Sequence, residues 1–148
     1  MFPKGLIVAI LLGVIAAPLY GIFLYEFATE EQLVYVDGTS LSIVTEKTDF
    51  KLGEPITIKI VNSGTDVLEF SDTSYGLVIK QLDSTPIYSP ISSQVTSKLE
   101  SHEEVEFVWN QLKNDETLIL EGAYKISVKA FTIDEEIIEK IVSINILK

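Results

Sequence analysis

The sequence predicts an all-β, immunoglobulin-like antiparallel β-sandwich preceded by one N-terminal transmembrane helix. Three observations carry this expectation. Residues 5–25 contain no charged side chain. After residue 40 apolar and polar residues alternate, the period of a strand with one buried face. Clusters of turn formers separate the alternating runs: "LGEP" at 52–55, "NSGTD" at 62–66, "DSTP" at 83–86 and "KNDE" at 113–116.

The first element is the apolar stretch Gly5–Tyr25. As a helix, its 21 residues span about 31 Å, against about 30 Å for a bilayer's hydrocarbon core. A cleaved secretory signal has a shorter apolar region, so residues 1–25 read as an uncleaved signal anchor in the cell membrane. Lys4 precedes the span and the next basic residue is Lys47. The positive-inside rule then puts the N terminus in the cytoplasm and the rest of the chain outside. Tyr20 and Tyr25 fall at the outer interface, and Pro18 predicts a kink.

Within this span Gly5, Ala9, Gly13, Ala17 and Gly21 recur at every fourth position. Residues four apart share a helix face, so the stripe forms a shallow groove that admits a second helix closely. The expected partner is a transmembrane helix of another subunit or of a second copy. The same N terminus, Lys4-Gly5-Leu6-Ile7, resembles an archaeal prepilin cleavage motif, which implies a filament subunit as an alternative.

Residues 26–39 read as a connector and 40–148 as the sandwich domain. "PITIKIV" places Ile56, Ile58 and Ile60 on one face and Thr57 and Lys59 on the other. "EVEFVW" turns Val105, Phe107 and Trp109 inward and Glu104 and Glu106 outward. "AYKISVKAF" turns Tyr124, Ile126, Val128 and Ala130 inward. Further strands are expected over 41–46, 66–71, 76–82 and 137–147, the last with a bulge where Ile137 and Ile138 break the alternation. About seven short strands argue for a sandwich, with a barrel as the alternative. Two residues are expected to be structural. Trp109, the lone tryptophan, belongs in the core. Tyr124, in "EGAYKI", has the setting of a tyrosine corner whose hydroxyl bonds nearby backbone.

Composition narrows function. The 148 residues include no cysteine and one histidine, His102. Thiol chemistry, a multi-histidine metal centre and a blue-copper site therefore have no ligands within the chain. The net charge is −11, and every basic residue is a lysine. Beyond Tyr25 ten lysines face 22 acids, so phosphate backbones are repelled and nucleic acid is not an expected partner. His102 sits in the acidic stretch "LESHEEVEF", without the context of a catalytic triad. No glycine-rich phosphate loop follows a strand, and no cofactor or small-molecule substrate is implied. The expectation is a protein without catalysis.

From Val61 to Phe131 the order of features resembles the intracellular proteinase inhibitor (BsuPI-like) family. The parallels are "VNSGTDVLEF", "YGLVIKQLDSTPIYS", "LESHEEVEFVWNQ" and "EGAYKISVKAF". The resemblance implies a small β-sandwich. It departs from the family in "ESHEE" before the tryptophan strand, in "PIYSP" at mid-domain and in the membrane span.

Recognition is the remaining role. The proline- and hydroxyl-rich segment Asp83–Ser97 offers a possible binding loop around Tyr88 and Ile91. The expected function is an accessory or scaffolding subunit of a membrane or cell-surface complex. A pilin-like filament subunit or a surface-anchored inhibitor-like or adhesion module are the alternatives.

Overall fold

The computed structural model describes Gly5, Val14, Ala17, Pro18 and residues 33–148. Those four N-terminal residues are helical. Ala9, Gly13 and Gly21 of the small-residue stripe, and most of the expected span, lie outside the described residues. Among the described residues no helix is long and apolar enough to cross a membrane.

Ten strands build the body 33–148. They are β1 (Leu41–Thr45), β2 (Asp49–Lys51), β3 (Ile56–Asn62), β4 (Leu68–Phe70) and β5 (Leu77–Gln81). After them come β6 (Pro86–Tyr88), β7 (Ser97–Leu99), β8 (Glu104–Trp109), β9 (Gly122–Phe131) and β10 (Ile137–Leu147). Two sheets form. One has the order β1-β3-β8. The other is β2-β10-β9, continued on β9's far edge by β5-β6 and by β4-β7. All pairings are antiparallel except β2 with β10, which is parallel. The described body is thus an all-β, two-sheet sandwich.

Alternation puts the core between the sheets. Ile56, Ile58 and Ile60 of β3 are fully buried, as are Ile126, Val128 and Ala130 of β9. Val105 and Phe107 are only half-buried because β8 is the edge of its sheet, with a neighbour on one side alone. Trp109, in the last register pair of β8 with β3, opposite Ile56, is fully buried.

Three features depart from the alternation-based expectations. β10 carries no bulge at Ile137–Ile138; its pairing with β9 runs unbroken from Ile137 opposite Phe131 to Ile146 opposite Gly122. Ile137 lies on the outer face because Phe131 lies there too, and an apolar cross-strand pair stabilises it in place. The irregularity is instead between β5 and β6, where Ile79 faces Tyr88 and Lys80 faces Pro86, leaving Ile87 as the extra residue. Finally, β2, β6 and β7 are three-residue strands too short to show a period.

The body also starts earlier than residue 40. Val36 donates its N–H to the Ser63 carbonyl, and the Gly38 carbonyl accepts from Thr65. The Thr39 hydroxyl donates to Asp66 at 2.7 Å. Gly64 allows this approach: a Cβ there would stand 2.1 Å from the Gly38 oxygen.

Two buried amides tie the turns. Asn62, fully buried, donates to the carbonyls of Asp66 (2.7 Å) and Leu99 (2.9 Å) and accepts from Gly64 N–H (3.0 Å). Gln111, also fully buried, accepts from Gly53 N–H (2.7 Å) and donates to the carbonyls of Lys51 (2.8 Å) and Glu54 (2.9 Å). Among the described residues no buried side-chain polar atom lacks a partner.

Replacing Asn62 with alanine orphans two carbonyls and one N–H in a dry site. Asn62→Ala is expected to lower unfolding stability by about 3 kcal/mol. Urea titration is the check: the midpoint should fall with an unchanged slope.

Candidate functional site

The segment 83–97 begins as strand. β6 adds to the edge of β5, where Pro86, which has no N–H to give, is tolerated. Beyond it, Ser89 N–H donates to the Asn114 side chain at 3.1 Å, and Asn114 N–H donates to the Ile87 carbonyl at 3.0 Å. Ser93 N–H donates to the Thr73 hydroxyl at 2.8 Å. The stretch is therefore pinned to two neighbouring loops.

The two residues singled out in it part company. Tyr88 is half-buried and packs its ring on Trp109, centroids 6.0 Å apart and planes 30° from parallel. Ile91 points wholly into solvent. Trp109 also meets Tyr124 edge-on at 6.4 Å, and its Nε1 donates to the Leu112 carbonyl at 2.8 Å. The Tyr124 hydroxyl donates to the Leu120 carbonyl at 2.7 Å. Tyr88, Trp109 and Tyr124 thus form one aromatic cluster at the end of the sandwich, with both buried polar tips bonded to the loop 110–121. Of Tyr88 and Ile91, only Ile91 is exposed.

His102 is exposed at the tip of the turn before β8, with φ 64°. Its ring meets Tyr35 edge-on at 4.5 Å. Among the described residues no group of three or more His, Asp or Glu side chains gathers as a metal site.

A shallow open pocket of about 400 Å³ lies beside the β4–β9 junction. Phe70, Phe131 and Ile137 supply apolar walls; Glu69, Thr132 and Glu135 supply polar ones. Glu69 is already bonded to Lys98 at 2.6 Å. The pocket has room for a side chain, and no nucleophile and base are paired in it. No local sequence signal marks it, since Glu69 and Phe131 meet only through sheet pairing.

Electrostatics on the surface are local. The Ser127 hydroxyl, then Lys80, hold the Glu139 carboxyl below its ordinary value. The Lys47 side chain, then the Lys51 amide, do the same for Glu54. Thr117 lowers Asp115, through its hydroxyl first, and the Thr85 amide lowers Asp83. Lys59 and Lys98 are raised by hydrogen bonds to Glu104 and Glu69. The carboxylates bind protons less readily folded than unfolded. Their contribution to stability is full above the ordinary carboxylate range, about pH 4, and is lost as pH falls through their lowered values. The two lysines behave oppositely. Their contribution is full below about pH 10.4 and is lost as pH climbs through their raised values. All these groups are largely solvated, so each effect is small.

Two expectations follow from the packing and the charges. Tyr88→Ala removes the ring over Trp109 and should lower stability by about 2 kcal/mol, whereas Ile91→Ser should stay within about 0.5 kcal/mol of the parent; chemical denaturation reads both. The melting temperature should drop as pH falls below about 4, and less steeply for Glu139→Gln, by calorimetry across pH.

Neither a family model nor a curated protein matches the chain. Similar solved structures include a mutant β-glucosidase from Listeria innocua in complex with laminaribiose, at 14% identity and TM-score 0.38. The same enzyme with gluconolactone gives 14% identity and TM-score 0.38. In both, the match covers 74% of this chain and only 16% of the enzyme chain.

Proposed function

We propose that the protein is a non-catalytic, single-pass membrane protein with a cytoplasmic N terminus. Its extracytoplasmic immunoglobulin-like module serves as an accessory or scaffolding subunit of a membrane or cell-surface complex. The observation that carries the reading is the run Gly5–Tyr25, which is free of charge and of bilayer length. The phased small residues Gly5, Ala9, Gly13, Ala17 and Gly21 favour close packing of that span on another helix.

The strand order supports the immunoglobulin-like reading of the module. The first strand is split: β1 joins β3 and β8 in one sheet, and β2 crosses to lie parallel to β10 in the other. β5, β9 and β10 then stand in the order of the three-stranded half of such domains, with β6 as the added edge. The Tyr124–Leu120 bond at the start of β9 is in keeping with a tyrosine corner. The tryptophan on β8 departs from the antibody pattern, which places it in the opposite sheet.

A second reading, a pilin-like filament subunit, is favoured by Lys4-Gly5 ahead of the apolar run. One experiment separates the two: purify the full chain from membranes in mild detergent and identify what accompanies it. The expected result is a stable complex with the chain beginning at Met1 by mass spectrometry. Gly13→Ile with Ala17→Ile should reduce recovery of that complex, because bulky side chains fill the groove. A chain beginning at Leu6 would support the filament reading. A protein released by alkaline wash, or one whose complex ignores the double substitution, would overturn the anchored-subunit reading.

A further inference from the structure

β10 is longer than the strand beside it. Its pairing with β9 is bonded at Thr132–Glu136, where Thr132 N–H donates to the Glu136 carbonyl. In an antiparallel ladder bonded pairs alternate with open ones, so even-numbered residues of β10 turn their backbone groups to β9. Odd-numbered residues turn theirs to the other edge. At the C-terminal end β2 takes that edge: Asn145 N–H donates to the Thr48 carbonyl and the Leu147 carbonyl accepts from Leu52. β2 pairs no further than Asn145. Among the described residues no strand therefore pairs with the edge presented by Ile137, Glu139, Ile141 and Ser143.

Such an edge is a template for another strand. Its side chains make it a good one, since Ile137 and Ile141 are exposed on the outer face. One residue is out of keeping. The core-facing row of β10 reads Ile138, Lys140, Val142, Ile144, Ile146, and Lys140 stands opposite the fully buried Val128. Lys140 is exposed, flanked by the half-buried Ile138 and Val142, and enters no ion pair among the described residues.

The occupant this edge fits is a second copy of itself. Two β10 edges joined antiparallel about Glu139 would oppose two carboxylates, and about Lys140 two ammonium groups. Joined about Ile141 they oppose no like charges: Glu139 meets Ser143 and Lys140 meets Val142. That register, however, presses each Lys140 ammonium against apolar side chains, which costs its hydration.

We propose that the inward-facing Lys140 keeps the free edge of β10 from pairing with a second copy of the chain. Removing its charge lets two edges join antiparallel about Ile141. A valine at 140 would place β-branched residues opposite one another across the new ladder, which favours pairing.

The chain has no cysteine, so a single introduced one reports the contact. A bonded pair holds its Cα atoms about 5.5 Å apart, within disulfide reach. The test compares full-length Ile141→Cys with Ile141→Cys/Lys140→Val in the same mild detergent, under gentle oxidation. Disulfide-linked dimer should rise at least about tenfold with Lys140→Val, the equivalent of about 1.4 kcal/mol. Lys140→Thr, polar but uncharged and at home in a strand, should act in the same direction and guards against misfolding of the valine variant. Lys129→Cys with Lys140→Val, on the outer face away from the edge, should stay monomeric. Equal cross-linking with and without Lys140, whether high or absent, overturns the proposal. So does cross-linking at position 129 that matches position 141.

Discussion

Two apolar sheet faces can close on each other only if the chain crossing between them leaves no polar group stranded in the dry interior. Asn62 and Gln111 meet that constraint. Each is a fully buried amide whose side chain serves three backbone groups. Asn62 stands where β3 leaves the first sheet and binds the start of the chain's passage to the second. Gln111 stands where β8 ends and fixes the turn that returns β2 to β3. An unpaired amide or carbonyl in the interior costs as much as a packed methyl group or two contributes, so these two residues offset a substantial cost of burying the turns beside the isoleucine-rich core.

Around that frame, polar chemistry is used for structure. Ser63 bridges the hydroxyls of Ser40 and Ser42, each at 2.8 Å, and so holds the segment before β1 against the turn after β3. The two aromatic polar tips at the end of the sandwich are bonded to carbonyls of one loop. Ser127, on the outer face of β9, is nonetheless buried, because Lys80 and Glu139 close over it. Gly76 repeats the lesson of Gly64 in another place. Its φ of +65° suits glycine, and a Cβ would lie 2.3 Å from the Lys129 carbonyl, so the start of β5 can approach β9 only without a side chain.

Several surface carboxylates and hydroxyls are occupied in turns and ion pairs. Apolar and backbone groups are also exposed: Ile91 beyond the pinned loop, the open pocket by Phe131 and Ile137, and the unpaired edge of β10.

Sequence alone determined what depends on neighbours two residues apart. Ile56, Ile58, Ile60 and Tyr124, Ile126, Val128, Ala130 were legible as inward rows because a strand's side chains alternate whatever it pairs with. The charge-free run at residues 5–25 and the acidity of all that follows were equally local facts. Tertiary structure decided everything that joins distant residues. Tyr88 read as a free loop residue; its place on Trp109 depends on a partner 21 positions away. Ile137 read as a bulge because its outer-face partner, Phe131, was unknown until the ladder set the register. Gln111 and Asn62 carried no pattern, since their partners lie up to 60 and 37 positions off. Periodicity records which way a side chain faces. Only the register of the sheets records what it meets there.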